Sequence, residues 1–116
     1  MPVYLIRFKH TPETWARLIE NPEDRRGPVG AALEAAGGRL VGLWYAFGEY
    51  DGYALTEAPS NVDVAGVLTG IVASGAFDAF ETTVLLTVDE MLDALGKAKG
   101  ASYRPPGFQL NIDGWS

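Results

Sequence analysis

The chain has 116 residues, is 47% hydrophobic, carries a formal net charge of −6 and contains no cysteine. This composition fits one globular domain with a real core, and it excludes disulfides, thiolate zinc sites and cysteine nucleophiles. An acidic chain whose one adjacent basic pair is Arg25-Arg26 also lacks the basic face of a nucleic-acid binder or of a protein that binds anionic membranes.

The sequence shows no sign of targeting to or through a membrane. No apolar run approaches the roughly 18 residues that a membrane span needs. The first residues, MPVYLIRFKH, lack the charged leader, apolar stretch and cleavage site of a secretory signal. We therefore expect a cytoplasmic protein with no membrane or nucleic-acid partner.

The first third of the chain predicts a strand followed by helical segments. Residues 3–9, VYLIRFK, are rich in β-branched and aromatic side chains, which favour a strand. Thr11 can cap a helix that has Pro12 at its first position, where the missing N–H costs nothing. The segment NPEDRRGP interrupts the helical pattern and Gly37-Gly38 end it, which predicts one broken helix or two short ones.

Three further strands follow in the pattern. Residues 39–47 and 52–58 predict two strands joined by a turn at GEYD, and residues 80–87 predict a fourth strand. A helical stripe of apolar residues lies between the third and fourth strands, and Ser60 with Asp63 resembles a capping box at its start.

The end of the chain predicts a short helix and then an extended tail. Thr87 with Glu90 forms a second capping-box pattern. Proline and glycine block regular structure in the segment GKAKGASYRPPG. We expect a domain over residues 1–98 and an extended tail over residues 99–116.

The predicted order is β-α-β-β-α-β followed by a short helix, which is the ferredoxin-like split βαβ arrangement of the α+β class. Right-handed crossovers make this a four-stranded antiparallel sheet with the order 4-1-3-2. Helices cover one face, and the other face is apolar but uncovered by the same chain. Because exposed apolar surfaces of that size mark interfaces, we expect a homodimer or higher homo-oligomer that buries sheet against sheet.

The segment FGEYD after WYA, followed by a strand and EAP, resembles the GYD family of the dimeric α+β-barrel superfamily. The resemblance runs from about Val3 to Leu95 and includes LIRF, GGRLVGLWYAFGEYDGYALTEAP and ETT, with Glu-Tyr-Asp where the family name has Gly-Tyr-Asp. It implies a small dimer of poorly defined activity. Superfamily relatives include cofactor-free monooxygenases, lactone isomerases, haem enzymes and ligand-sensing regulatory domains, so the fold does not select the chemistry.

The predicted topology brings polar and aromatic side chains to one end of the sheet. Four segments share that end: the end of the first strand, the start of the first helix, the 48–51 turn and the start of the fourth strand. The opposite end holds plain connectors. The residues gathered at the shared end are Arg7, Lys9, His10, Trp15, Tyr45, Glu49, Tyr50, Asp51 and Glu81.

Three of these residues are candidates for catalysis by proton transfer. His10 is the only histidine, and its unperturbed pKa suits a base near neutrality; the alternative is a solvent-exposed residue at a strand end. Asp51 is either a base or orienting group, or a turn residue that bonds its own backbone. Glu81 either serves a pocket or forms an ion pair with Arg7 across neighbouring strands. Glu49 is expected to be solvated at the tip of the turn.

A second set of residues is predicted to bind a substrate or ligand. Arg7 lies inside an apolar strand and needs an anionic partner, which is either a ligand or a salt-bridging carboxylate. The aromatic side chains either line an apolar ligand site or belong to the core and the dimer interface. The predicted binding residues are Arg7, Trp15, Trp44, Tyr45, Tyr50 and Tyr53.

Dedicated cofactors and metals are not expected. One histidine with scattered carboxylates has no recognised metal-ligand spacing, and only His10 could be a histidine ligand to haem. The chain has neither a phosphate-binding glycine loop nor GxGxxG. Three hypotheses remain: a cofactor-independent catalyst acting on a small molecule, a non-catalytic small-molecule-binding module, or an oligomeric assembly module.

Overall fold

The structure is a computed structural model that describes residues 1–107. It divides after Leu85 into two compact units, which are described separately. Residues 108–116 of the predicted tail lie outside the described residues, and the predicted boundary after residue 98 stays a prediction. The elements are β1 (Val3–His10), α1 (Pro12–Glu20), α2 (Arg26–Ala35), β2 (Arg39–Tyr45), β3 (Gly52–Glu57), α3 (Asn61–Ala73) and β4 (Phe77–Leu85) in the first unit, and α4 (Val88–Lys99) in the second.

The four strands form one antiparallel sheet in the order β2-β3-β1-β4. This is the predicted order 4-1-3-2 read from the other edge, so the predicted α+β fold and topology are confirmed. β1 lies in the centre and pairs with both β3 and β4. The last residues of β1 therefore meet the 46–51 turn on one side and the start of β4 on the other.

Local sequence signals explain where the helices begin. Thr11 caps α1 by accepting a hydrogen bond from the Thr14 N–H at 3.2 Å, as predicted. The interrupted pattern becomes two separate helices, α1 and α2. In the second unit, Thr87 and Glu90 form the complete predicted capping box of α4. The Ser60 hydroxyl caps α3 by accepting a hydrogen bond from the Asp63 N–H. The predicted capping box is incomplete, because the Asp63 carboxylate accepts from the Ser60 hydroxyl and not from the Ser60 backbone N–H.

β4 begins three residues earlier than the sequence pattern predicts. Gly75 has a φ of +81°, a left-handed conformation that favours glycine, and it ends the chain reversal after α3. This reversal allows Phe77 to pair with His10, next to an irregularity in the β1–β4 register between Lys9 and His10. An aromatic residue is thereby placed directly beside the only histidine.

Strict alternation along β1 creates two different sheet faces. Tyr4, Ile6, Phe8 and His10 are buried, whereas the residues between them are partly or fully exposed. The buried side, termed the helix-covered face, packs against the helices of the first unit. The other side is termed the open face, because no element of residues 1–85 packs over it. The core cluster on the helix-covered face consists of Tyr4, Ile6, Ala54, Ala58, Val64 and Leu68.

None of the helices in residues 1–107 is long and apolar enough to cross a lipid bilayer.

Candidate functional site

A cavity of about 380 Å³ lies between the helix-covered face and the helices above it. Its volume falls within the range of small-molecule sites in proteins. His10 and Tyr45 line it, and most other lining residues are apolar; the exceptions are Thr14, Arg17, Glu23, Arg25 and Ser74. We call it the His10 cavity; its apolar lining includes Phe8, Leu33, Leu43, Ala54, Leu68 and Phe77.

The imidazole of His10 is buried in this cavity without a hydrogen-bond partner. Its relative exposure is 8%, and neither ring nitrogen is bonded within residues 1–107. The nearby Ala76 carbonyl already accepts from the Thr11 N–H at 3.1 Å and from the Thr14 hydroxyl at 2.9 Å. Because both its lone pairs are used, that carbonyl is a poor third partner, and the imidazole keeps one donor and one acceptor for another group.

Aromatic rings surround His10 on several sides. The Phe77 ring stacks on the imidazole with centroids 5.0 Å apart and an interplanar angle of 26°. Trp15 meets it edge-on at 5.0 Å, and Phe8 lies at 5.2 Å. Tyr45 completes the group at 6.4 Å. These contacts fix the plane of the imidazole, so its nitrogens keep constant directions.

Asp51 joins the turn to β1 and α1. Its Oδ2 accepts hydrogen bonds from the His10 backbone N–H at 2.9 Å and from the Trp15 indole Nε1 at 3.2 Å. Its own N–H donates to the Phe8 carbonyl at 2.8 Å. Asp51 thus holds the backbone of His10 and one of the rings beside it.

Burial keeps His10 neutral near pH 7. Desolvation lowers the pKa of His10 below 6.5, and the nearby Arg25 charge acts in the same direction. The Asp51 carboxylate acts in the opposite direction, as does the Ala76 carbonyl, which lies near the imidazole without reaching hydrogen-bond geometry. Desolvation also raises the pKa of Tyr45 above 10.0, so that its phenol remains protonated. The cavity therefore offers a neutral imidazole and a neutral hydroxyl to a ligand.

Three charged side chains also belong to the cavity lining. Arg17, Glu23 and Arg25 contribute to it. Arg25 forms an ion pair with Glu23, and its side chain is 39% exposed. Arg17 forms no ion pair within the described residues.

The other predicted site residues lie on the open face. Arg7 lies opposite Glu81 across the β1–β4 ladder, and the two form an ion pair at 3.2 Å. The Arg7 guanidinium also lies 4.2 Å from the Tyr50 ring centroid. Trp44 and Tyr53 are register partners on this same face.

The sheet therefore separates the predicted site into two groups. His10 and Tyr45 line the His10 cavity, and Asp51 and Trp15 contact His10 without lining the cavity. Glu81 does not join them, because the alternation of a strand places it on the opposite face from His10. Glu49 is exposed at the turn, as expected.

Several cavity residues were absent from the predicted site. Phe8 was identifiable in principle, because it lies two residues before His10 and so shares its face of β1. Phe77 was missed because the fourth strand was predicted to begin too late. Arg17 and Arg25 lie in the helical region, where the sequence gives no sign of which side faces the sheet.

The described residues offer little for a metal. In residues 1–107 no three His, Asp or Glu side chains are grouped so that they could hold an ion. A single imidazole among aromatic rings is suited instead to hydrogen bonding with an organic molecule.

Known structures resemble this fold at low sequence identity. The crystal structure of TTHA0845 from Thermus thermophilus has a TM-score of 0.50 and 17% identity over 76% of this chain and 96% of that chain. Hypothetical protein PHS023 from Pyrococcus horikoshii gives 0.49 and 16% over 75% and 92%. FFRP-DM1 gives 0.48 and 16% over 74% and 100%. At 17% identity the likeness to TTHA0845 concerns the fold alone.

No curated protein matches the sequence at a significant level. The family model for the GYD domain, in contrast, matches residues 4–95, which is most of the chain. That span includes β1, the turn with Asp51 and the cavity described above. The chain belongs to the GYD domain family.

Proposed function

We propose that this protein binds a small apolar or aromatic molecule in the His10 cavity, without a dedicated cofactor. The observation that carries the proposal is a buried imidazole whose two nitrogens have no hydrogen-bond partner within residues 1–107, in a mostly apolar cavity. A buried polar group without a hydrogen bond destabilises a protein by about 1–3 kcal/mol. A ligand that bonded to His10 would remove this destabilisation, and its apolar body would fill the cavity.

The same geometry supports a second candidate, catalysis of proton transfer. A neutral imidazole near pH 7 has a free lone pair, which is the state that a general base requires. In this reading His10 moves the proton, and Asp51 is a positioning residue that acts through the His10 backbone and Trp15. A ligand that binds and is recovered unchanged supports the first candidate, whereas conversion of the ligand into a product supports the second.

Paired probes test binding at this cavity. Indole and indene have nearly the same shape, but only indole carries an N–H that can donate to His10. Both should bind the parent protein in calorimetric titrations. Replacing His10 by Phe should lower the affinity ratio of indole to indene by about two- to tenfold, the value of one net hydrogen bond.

Two neighbouring alanines on α2 provide the control. Ala32 lines the cavity, whereas Ala31 is exposed and does not. Ala32→Trp should block both probes, and Ala31→Trp should leave their affinities unchanged. Failure of both probes to bind the parent protein would contradict the proposal and favour an assembly module. Equal effects of the two tryptophans would place binding elsewhere.

We also propose that the protein is a homodimer formed through the open face. Leu5 and Leu55 are register partners at its centre and are only partly buried. Trp44 is 55% exposed on the same face. The ion pairs Arg7–Glu81 and Arg39–Glu57 flank this apolar area. An apolar centre with a charged rim is typical of protein–protein interfaces.

A further inference from the structure

The charged part of the cavity lining is unusual for this chain. The protein has fifteen Asp and Glu against nine Lys and Arg, yet the His10 cavity is lined by two arginines and a single carboxylate, Glu23. The lining therefore has a formal charge of +1 within a molecule of charge −6. Two guanidinium groups in the lining favour an anion beside them.

The two arginines keep donors available. A guanidinium has five N–H donors, and the ion pair of Arg25 joins only its Nη1 to Oε1 of Glu23. Arg17 lies in the last turn of α1 and forms no ion pair within residues 1–107. Both side chains could therefore donate to a carboxylate or a similar anion.

The apolar part of the cavity lining is unsuited to charge. Its walls are apolar, His10 is neutral, and an ion placed there without a paired charge would be strongly disfavoured. A single ligand can satisfy both regions only if its charge and its apolar body lie at different ends.

Resting on the function proposed above, we propose that the ligand is a small organic monoanion whose apolar or aromatic body lies beside His10. Its carboxylate, or a comparable anionic group, lies beside Arg17 and Arg25.

Indole-3-acetate and indole-3-acetamide test the inference, because they share one body and differ in charge at neutral pH. Calorimetric titration at low salt should show the acetate binding more tightly. Arg25→Gln should weaken the acetate by about two- to fivefold and leave the amide nearly unchanged, a size expected for a partly exposed ion pair. Arg17→Gln should act in the same direction, and Glu23→Gln should strengthen acetate binding.

Arg26→Gln is the matched control. It removes the same charge one residue away, but Arg26 is paired with Asp24 and does not line the cavity. The acetate should lose much less affinity in this variant than in Arg25→Gln. Equal affinities of acetate and amide in the parent protein, or equal effects of the Arg25 and Arg26 changes, would overturn the inference while leaving the proposed function intact. If neither probe bound, the proposed function itself would fail and the inference with it.

Discussion

Among single residues, Asp51 makes the most connections in the GEYDG turn. One carboxylate oxygen holds the His10 N–H and the Trp15 indole, so removing it leaves two donors without partners. We predict that Asp51→Ala lowers the free energy of unfolding by about 1.5–3 kcal/mol, the value of hydrogen bonds to a charged group. Urea denaturation measures this change.

Glu49 is the control for that measurement, because it is exposed in the same turn. Glu49→Ala should change the free energy of unfolding by less than about 0.5 kcal/mol. If Asp51→Ala changed the free energy of unfolding as little as Glu49→Ala, the hydrogen bonds of Asp51 to His10 and Trp15 would not stabilise the protein as we describe.

His10 gives the protein a specific dependence on pH. Burial lowers its pKa in the folded state below 6.5, the value expected in the unfolded chain. Between the folded-state pKa and pH 6.5, only the unfolded chain binds the proton. Stability that is fully present above pH 6.5 is therefore lost as the pH falls from 6.5 through the folded-state pKa. The parent protein should lose more stability between about pH 7.5 and about pH 5.5 than His10→Phe does.

Urea denaturation midpoints at the two pH values measure this difference. The comparison with His10→Phe removes the contribution of carboxylates, which titrate in both proteins. Parallel losses in the two proteins would show that His10 is not buried as a neutral imidazole.

At the scale of elements, the start of β3 depends on Gly52, whereas the preceding turn does not depend on Gly48. A Cβ added at Gly52 would lie 2.2 Å from Cζ of the buried Phe8 ring, whereas a Cβ at Gly48 would meet nothing within 4 Å. Gly52→Ala should therefore destabilise the protein by about 1–3 kcal/mol through overpacking. It should also displace Phe8, which lines the His10 cavity, and weaken the binding of indole.

Gly48→Ala provides the contrast, since Gly48 does not have a positive φ. It should be neutral or slightly stabilising, because alanine reduces the freedom of the unfolded chain. Thermal denaturation of Gly52→Ala and Gly48→Ala under the same conditions measures the difference in melting temperature. Similar melting temperatures for both would contradict the role assigned to Gly52.

The elements themselves could be predicted from the sequence, but the composition of the site only in part. Caps at Thr11 and Thr87 and the alternation of β1 are local signals, and they located the strands and helices well. Chain topology correctly brought Asp51 near His10. The sequence could not separate Glu81 from His10 while the start and register of β4 were unknown, since a shift of one residue exchanges the two faces.

At the scale of the whole molecule, the open face leads to a prediction about assembly. The parent protein should have twice the chain mass by light scattering at micromolar concentration. Leu55→Lys, at the centre of the open face, should give a monomer, because a charge there cannot be buried against the apolar area of a second copy. Val62→Lys on α3 is the control, since Val62 is 81% exposed away from this face.

A monomeric parent protein would remove the basis for the dimer. So would a dimer that tolerated Leu55→Lys as well as Val62→Lys, because the interface would then lie elsewhere.

In the function proposed above, His10 offers its ring nitrogens to a ligand in the cavity. Because the chain has a single histidine, nitrogen NMR of protein labelled at histidine reports on His10 alone. Titration with indole should move the signal of the acceptor nitrogen in the direction of a newly formed hydrogen bond, and an equal amount of indene should not reproduce that shift. Binding of indole by calorimetry with unchanged His10 nitrogen signals would contradict the account.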